Sequence, residues 1–149
     1  MRSASPYRAP AQSKILLVDD NTDGMLARRA VLEELGYHVV PAGCGSEALK
    51  LVEKESFDLV ITDYKMSPVN GLELIKKLRD TGFDRPVILL TGFADNLGLR
   101  PETTGANVVI QKSANEVVTL VRHTKRLLNP PRKPAASQRA RVGRKTQSK

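Results

Sequence analysis

At 149 residues the chain has room for one domain of ordinary size and none for a second, and 40% hydrophobic residues suffice for a buried core. The formal net charge of +8 suggests a nucleic-acid binder until it is located: Arg2 and Arg8 lie in residues 1–13, seven further cations lie in residues 129–149, and the segment between holds 15 basic and 16 acidic residues. The single Cys44 excludes an internal disulfide and a multi-cysteine metal site, and no aliphatic run approaches the roughly 20 residues of a membrane span, so a cytoplasmic protein without membrane insertion is expected.

Residues 1–13 mix Ser, Ala, Pro and Arg without period and predict a disordered tail. A first strand is expected over Lys14–Asp19, then a helix over Asn21–Leu35 with Met25, Leu26, Leu32 and Leu35 as its apolar face and Gly36 as its stop. Tyr37–Pro41 predicts the second strand and Ser46–Lys54 the second helix. The turn between them, Gly43-Cys44-Gly45-Ser46-Glu47-Ala48, fits the G-x-G-x-x-A dinucleotide fingerprint, with Asp63 near the distance of a ribose-binding acid. It falls on the second βα unit, however, and leaves the other strand-end polar residues without a role.

Phe57–Thr62 predicts the third strand, Leu72–Asp80 the third helix and Pro86–Leu90 the fourth strand. A fourth helix over Ala94–Thr104 is expected to be short or broken, because Gly98 and Pro101 interrupt it. Asn107–Gln111 predicts the last strand. The last helix opens at Ser113, where Glu116 completes a capping-box pattern, and runs through Val117, Leu120, Val121, Leu127 and Leu128. Residues 129–149, basic and rich in Pro, Ala and Ser, predict a second disordered tail, which leaves 14–128 as the folded domain.

Aliphatic strands alternating with amphipathic helices predict an α/β fold, a flavodoxin-like doubly wound parallel sheet in the order 2-1-3-4-5, with its chemistry beyond the carboxyl ends of the strands. There the first strand delivers Asp19 and Asp20 and its expected neighbour, the third, delivers Asp63. Carboxylates that close repel one another unless a cation intervenes, and an all-oxygen set with room for water suits Mg²⁺. The fourth strand ends at Thr91 and the fifth at Lys112, a hydroxyl and an ammonium. Carboxylate, divalent cation, hydroxyl and ammonium are the parts that accept a phosphoryl group and hold its oxygens. His38 and His123 have no partner at ligand spacing and are expected to be structural, and Cys44 is expected to be a small exposed residue of its loop rather than a redox sensor.

With LLVDDN (Leu16 to Asn21), DLVITDYKM (Asp58 to Met66) followed by Asn70-Gly71, LLTGFAD (Leu89 to Asp95) and GANVVIQK (Gly105 to Lys112), residues 14–128 resemble the receiver domain of two-component response regulators, of the stand-alone, chemotaxis-regulator-like kind. The resemblance implies Asp63 as phospho-acceptor, Asp20 and Asp63 as direct Mg²⁺ ligands, Asp19 as a ligand through water and the Lys65 carbonyl as the remaining protein ligand. It implies Thr91 as the switch hydroxyl and Lys112 as its cationic partner. It further implies a histidine kinase or histidine phosphotransfer domain as phosphodonor and a downstream protein as target, or a phosphorelay role, and it leaves a homodimer open. A signalling switch with slow self-hydrolysis, not a turnover enzyme, is expected.

The pattern is broken in places. Ser113 follows the lysine where the family usually has proline, so a trans bond is expected there, since cis would cost about 2.5–4 kcal/mol. Val109 stands where an aromatic switch residue is common, and the proline usual after Met66 is displaced to Pro68. Short fourth-helix regions are similar to those of receivers attached to hybrid sensor kinases. Two other classes compete. A nucleic-acid binder would work through the basic C-terminal tail by counterion release, though that tail has no aromatic residue to stack on bases. An aspartyl-nucleophile phosphatase usually needs an acid two residues after the nucleophile, where Lys65 stands.

Overall fold

A computed structural model describes residues 13–92 and 98–129. Five strands form one parallel sheet in the order β2-β1-β3-β4-β5: β1 (Lys14–Val18), β2 (His38–Ala42), β3 (Leu59–Asp63), β4 (Val87–Thr91) and β5 (Val108–Gln111). The helices are α1 (Thr22–Glu34), α2 (Gly45–Lys54), α3 (Gly71–Asp80), the single turn α4 (Pro101–Thr104) and α5 (Glu116–Leu128). The expected flavodoxin-like architecture and strand order are therefore present, with element ends outside the fourth-helix segment displaced by up to three residues.

Alternation along the strands divides the core in two. Leu16, Val18, Val60 and Leu89 pack with Ala48 of α2 and Leu74, Ile75 and Leu78 of α3. Ile15, Leu17, Leu59, Ile61, Ile88 and Leu90 pack with Met25 and Leu32 of α1 and Leu120 of α5. Both faces of β1, β3 and β4 are covered, so these strands are continuous apolar runs, and truncating any of their leucines to alanine would cost about 2–5 kcal/mol.

Local chemistry sets the helix starts. The Asn21 side chain accepts from the Gly24 N–H and caps α1. Asn70 and Glu73 form a reciprocal capping box at α3. α5 departs from the expected box: it begins at Glu116 behind Asn115, Ser113 Oγ accepts from the Asn115 N–H, and the Glu116 carboxylate turns to Arg28. A carboxylate offered a buried guanidinium gains a charge-assisted bond that a backbone N–H cannot match.

Two apolar faces also need correction. Leu26 is 56% exposed, and the stripe of α1 that faces the sheet is Met25, Arg28 and Leu32. Val117 is 40% exposed on α5, whose inward positions are Leu120 and Thr124. Among the described residues, the segment expected to carry the fourth helix holds a four-residue turn opened by Pro101 and closed by Gly105 at φ 81°. Of that segment, residues 94–97 lie outside the described residues. The Lys112–Ser113 peptide is trans, and the cis bond among the described residues is Ser67–Pro68. No helix of the described residues is long and apolar enough to cross a membrane.

Candidate functional site

The register of the sheet assembles the acidic site. Val18 pairs with Thr62, so the next residues, Asp19 and Asp63, leave adjacent strands side by side. One carboxylate oxygen from each of Asp19, Asp20 and Asp63 lies within 4.8 Å of the others. Asp19 and Asp63 are buried at 3% and 5% exposure, whereas Asp20 faces solvent. Asp20, Asn21, Asp63, Lys65 and Lys112 line an open cleft of about 400 Å³ above them.

Lys112 arrives from the end of β5, where its backbone N–H donates to the Thr91 carbonyl at 2.8 Å and its Nζ contacts Asp63 Oδ1. Thr91 is the last residue of β4, one past Leu90, which pairs with Asp63. It is 1% exposed and sits behind the cleft rather than lining it. The sequence-derived set therefore gathers at one rim, with Thr91 and Asp19 buried there rather than lining the cleft.

Burial raises the Asp63 carboxyl above its ordinary range, and Asp19 adds to the rise; the hydrogen bond and charge of Lys112, with a smaller effect of Arg28, work against it. Part of that rise is repulsion from Asp19, which a cation held in the cluster would relieve. The cluster's donors are all oxygen and converge within a few ångströms, which fits a hard divalent cation rather than a soft one.

Arg28 was not legible as part of this site. Its Nη1 donates to Asp19 Oδ2 at 2.6 Å and its Nε to Glu116 Oε2 at 2.5 Å, with only 9% of its side chain exposed. Burial disfavours its charge, but the hydrogen bond and field of Glu116, together with Asp19 and Asp63, hold its pKa above the ordinary guanidinium value. One signal was available: a basic residue in the i, i+3, i+7 stripe of an amphipathic helix has to meet acids inside the fold.

The glycine-rich loop before α2 is tied to Glu47 of α2 and covered by Val69. The Gly43 N–H donates to Glu47 Oε1 at 2.8 Å, and a Cβ on Gly45 would lie 3.1 Å from the Val69 side chain. Cys44 is the N-cap of α2, and the hydrogen bond with Ser46, 3.4 Å from Sγ to Oγ, pulls its thiol down from the ordinary range. His38 and His123 lie outside the acidic cluster.

Three acids at the rim of a five-stranded 2-1-3-4-5 sheet, with a lysine from β5 on the third, meet a family model: the response regulator receiver domain model matches residues 15–122. The chain belongs to that family. Response regulator TrrA of Thermotoga maritima, solved in complex with Mg²⁺–BeF, is 33% identical, covers 78% of this chain and all of its own, and superposes with a TM-score of 0.70. A sensor histidine kinase receiver domain of Pseudomonas aeruginosa, with a magnesium ion coordinated in its active site cleft, is 26% identical, covers 79% of this chain and 98% of its own, and has a TM-score of 0.71.

Among curated relatives, the CAI-1 autoinducer sensor kinase/phosphatase CqsS of Vibrio cholerae is 34% identical over 113 residues, 73% of this chain and 16% of the kinase. The virulence sensor BvgS of Bordetella bronchiseptica is 36% identical over 60% of this chain and 8% of its own length. This receiver thus spans a small fraction of the curated relatives it matches. As a receiver it is built for signalling in a two-component system. Val109, half-buried on β5, packs against the α2–α3 side of the core.

Proposed function

We propose that Asp63 accepts a phosphoryl group from the phosphohistidine of a histidine kinase or histidine phosphotransfer domain, in an Mg²⁺-dependent step, and that the receiver passes its state on by protein contact or as a phosphorelay intermediate. The observation that carries this is the meeting of Asp19, Asp20 and Asp63 within 4.8 Å, with Lys112 on Asp63. The relatives named with Mg²⁺ in their sites support the choice of ion.

Asp20, Asp63 and the Lys65 carbonyl would hold the ion directly, and Asp19 through water. When bound, Mg²⁺ neutralises charge between the acceptor and the incoming phosphoryl oxygens. Asp63 Oδ2 attacks phosphorus in line, the P–N bond breaks, and the imidazole leaves with the electron pair. Lys112, already on Oδ1, follows the charge to a phosphoryl oxygen, and Thr91 donates its hydroxyl to another. The added charge of about −1.5 to −2 draws these two residues inward and shifts the loops that carry them. This is switching in a cytoplasmic domain spanning residues 14–128 between two tails, without catalytic turnover of a substrate.

Incubating the full chain with a small phosphodonor and Mg²⁺ and measuring intact mass tests the assignment. One phosphate should be added in wild type and none in Asp63→Asn. An unmodified wild type, or equal addition to both proteins, would overturn it.

A further inference from the structure

On α1 a guanidinium occupies a place that spacing would give to an apolar side chain, between Met25 and Leu32. Gly24 makes room for it, since a Cβ there would lie 3.0 Å from Arg28 Nη1 and 3.1 Å from Asp19 Oδ2. The second Asp19 oxygen accepts from the Asn21 N–H at 2.9 Å. Both oxygens of Asp19 thus have a donor from the protein itself. Arg28 cannot lose its proton, so its positive charge is permanent, and a buried charge is poorly screened by salt. Any cation attracted to Asp19 must share that carboxylate with it.

Resting on the assignment of Asp19, Asp20 and Asp63 as cation ligands, we propose that Arg28 is a positioning residue that holds Asp19 in place, weakens the cation site by charge, and ties that site to the start of α5 through Glu116. Cation and guanidinium compete for one carboxylate, and the competition is reciprocal: a bound cation loosens Arg28 from Asp19 and leaves it to Glu116. Glu116, 88 residues along the chain from Arg28, is where that change reaches α5.

Isothermal titration of the full chain with MgCl₂ tests this. Arg28→Gln keeps a side-chain donor near Asp19 but removes the charge, and should bind Mg²⁺ about five- to tenfold more tightly. Arg28→Lys, which keeps the charge, should stay within about twofold of wild type. A purely architectural role predicts the opposite sign, because a disturbed site loses affinity. Folded Arg28→Gln with unchanged or weaker affinity would overturn the proposal.

Should Arg28→Gln not fold, Glu116→Gln decides. It removes a negative charge and leaves Arg28 wholly to Asp19, so Mg²⁺ binding should weaken about two- to threefold; equal or tighter binding refutes the role. Wild type without saturable Mg²⁺ binding sinks the metal assignment and this inference together, whereas normal wild-type binding with no gain in Arg28→Gln sinks the inference alone.

Discussion

The two rims of the sheet both carry polar groups and treat them in opposite ways. At the amino rim, Arg79 alone donates to the carbonyls of Phe83, Arg85 and Gly105 and to Asn107 Oδ1, and that same Asn107 oxygen accepts from the Val87 N–H. Lys14 pairs with Glu55, and its backbone N–H donates to Asp58. A groove of about 370 Å³ opens there too, lined by Glu53, Glu55, Asp58 and Asp84 beside Phe57 and Arg85, but among the described residues only Asp19, Asp20 and Asp63 bring three carboxylates within 4.8 Å of one another. At the carboxyl rim, three acids converge on one point, with Arg28 on Asp19, Lys112 on Asp63 and Lys65 at the same cleft. Polar groups satisfied by fixed partners hold loops in place; like charge gathered at one point of a rim is available for something that comes and goes. A groove of similar size thus means architecture at one end and chemistry at the other.

The largest test of that contrast strikes the backbone behind Asp63. Gly71 donates its N–H to the Tyr64 carbonyl at 2.8 Å, and a Cβ on it would run into the Asp63 carbonyl and lie 2.9 Å from Tyr64 Cα. Gly71→Ala should therefore cost about 3 kcal/mol in denaturant unfolding and displace the acceptor, abolishing phosphate addition as well. Stability near wild type would show that this rim yields more easily than its packing implies.

Next in size is Arg79→Ala, which strips the amino rim of its donors. It should lower stability by about 2 kcal/mol in the same assay while phosphate addition at Asp63 persists. Loss of phosphorylation in a still-folded variant would break the division between the rims.

The smallest effect is a pH dependence. Burial holds the Asp63 carboxyl above its ordinary 3.8, so the folded protein binds that proton more tightly than the unfolded chain does. The stability this supplies is fully present below that ordinary value and is lost as pH rises through the folded one. In metal-free buffer Asp63→Asn should consequently gain in Tm relative to wild type as pH goes from about 4 to 7, and Mg²⁺ should narrow the gap by binding wild type alone. A gap that shrinks with pH in metal-free buffer would contradict it.

Legibility followed sequence distance. Aliphatic strands, their terminal acids and the interruption at Gly98 and Pro101 are local features, and each was readable because a period of two or a proline acts within a few residues. The Ser113–Glu116 box was misjudged for the complementary reason. Its local pattern was sound, but Glu116 is offered a buried guanidinium by a helix far away in sequence, and that bond wins. Leu26 and Val117 went astray because spacing defines a stripe without saying how wide a face the sheet covers.

By itself, then, the sequence determined that Asp19, Asp20, Asp63, Thr91 and Lys112 stand at strand ends, since strand register and length are written in consecutive residues. Only the tertiary structure decided that Asp19 is shared between the Asn21 N–H and Arg28, and that Arg28 reaches on to Glu116. Those outcomes depend on how α1 and α5 settle side by side on one face of the sheet. Burial and charge pairing fix that packing, and neither is a property of any one segment.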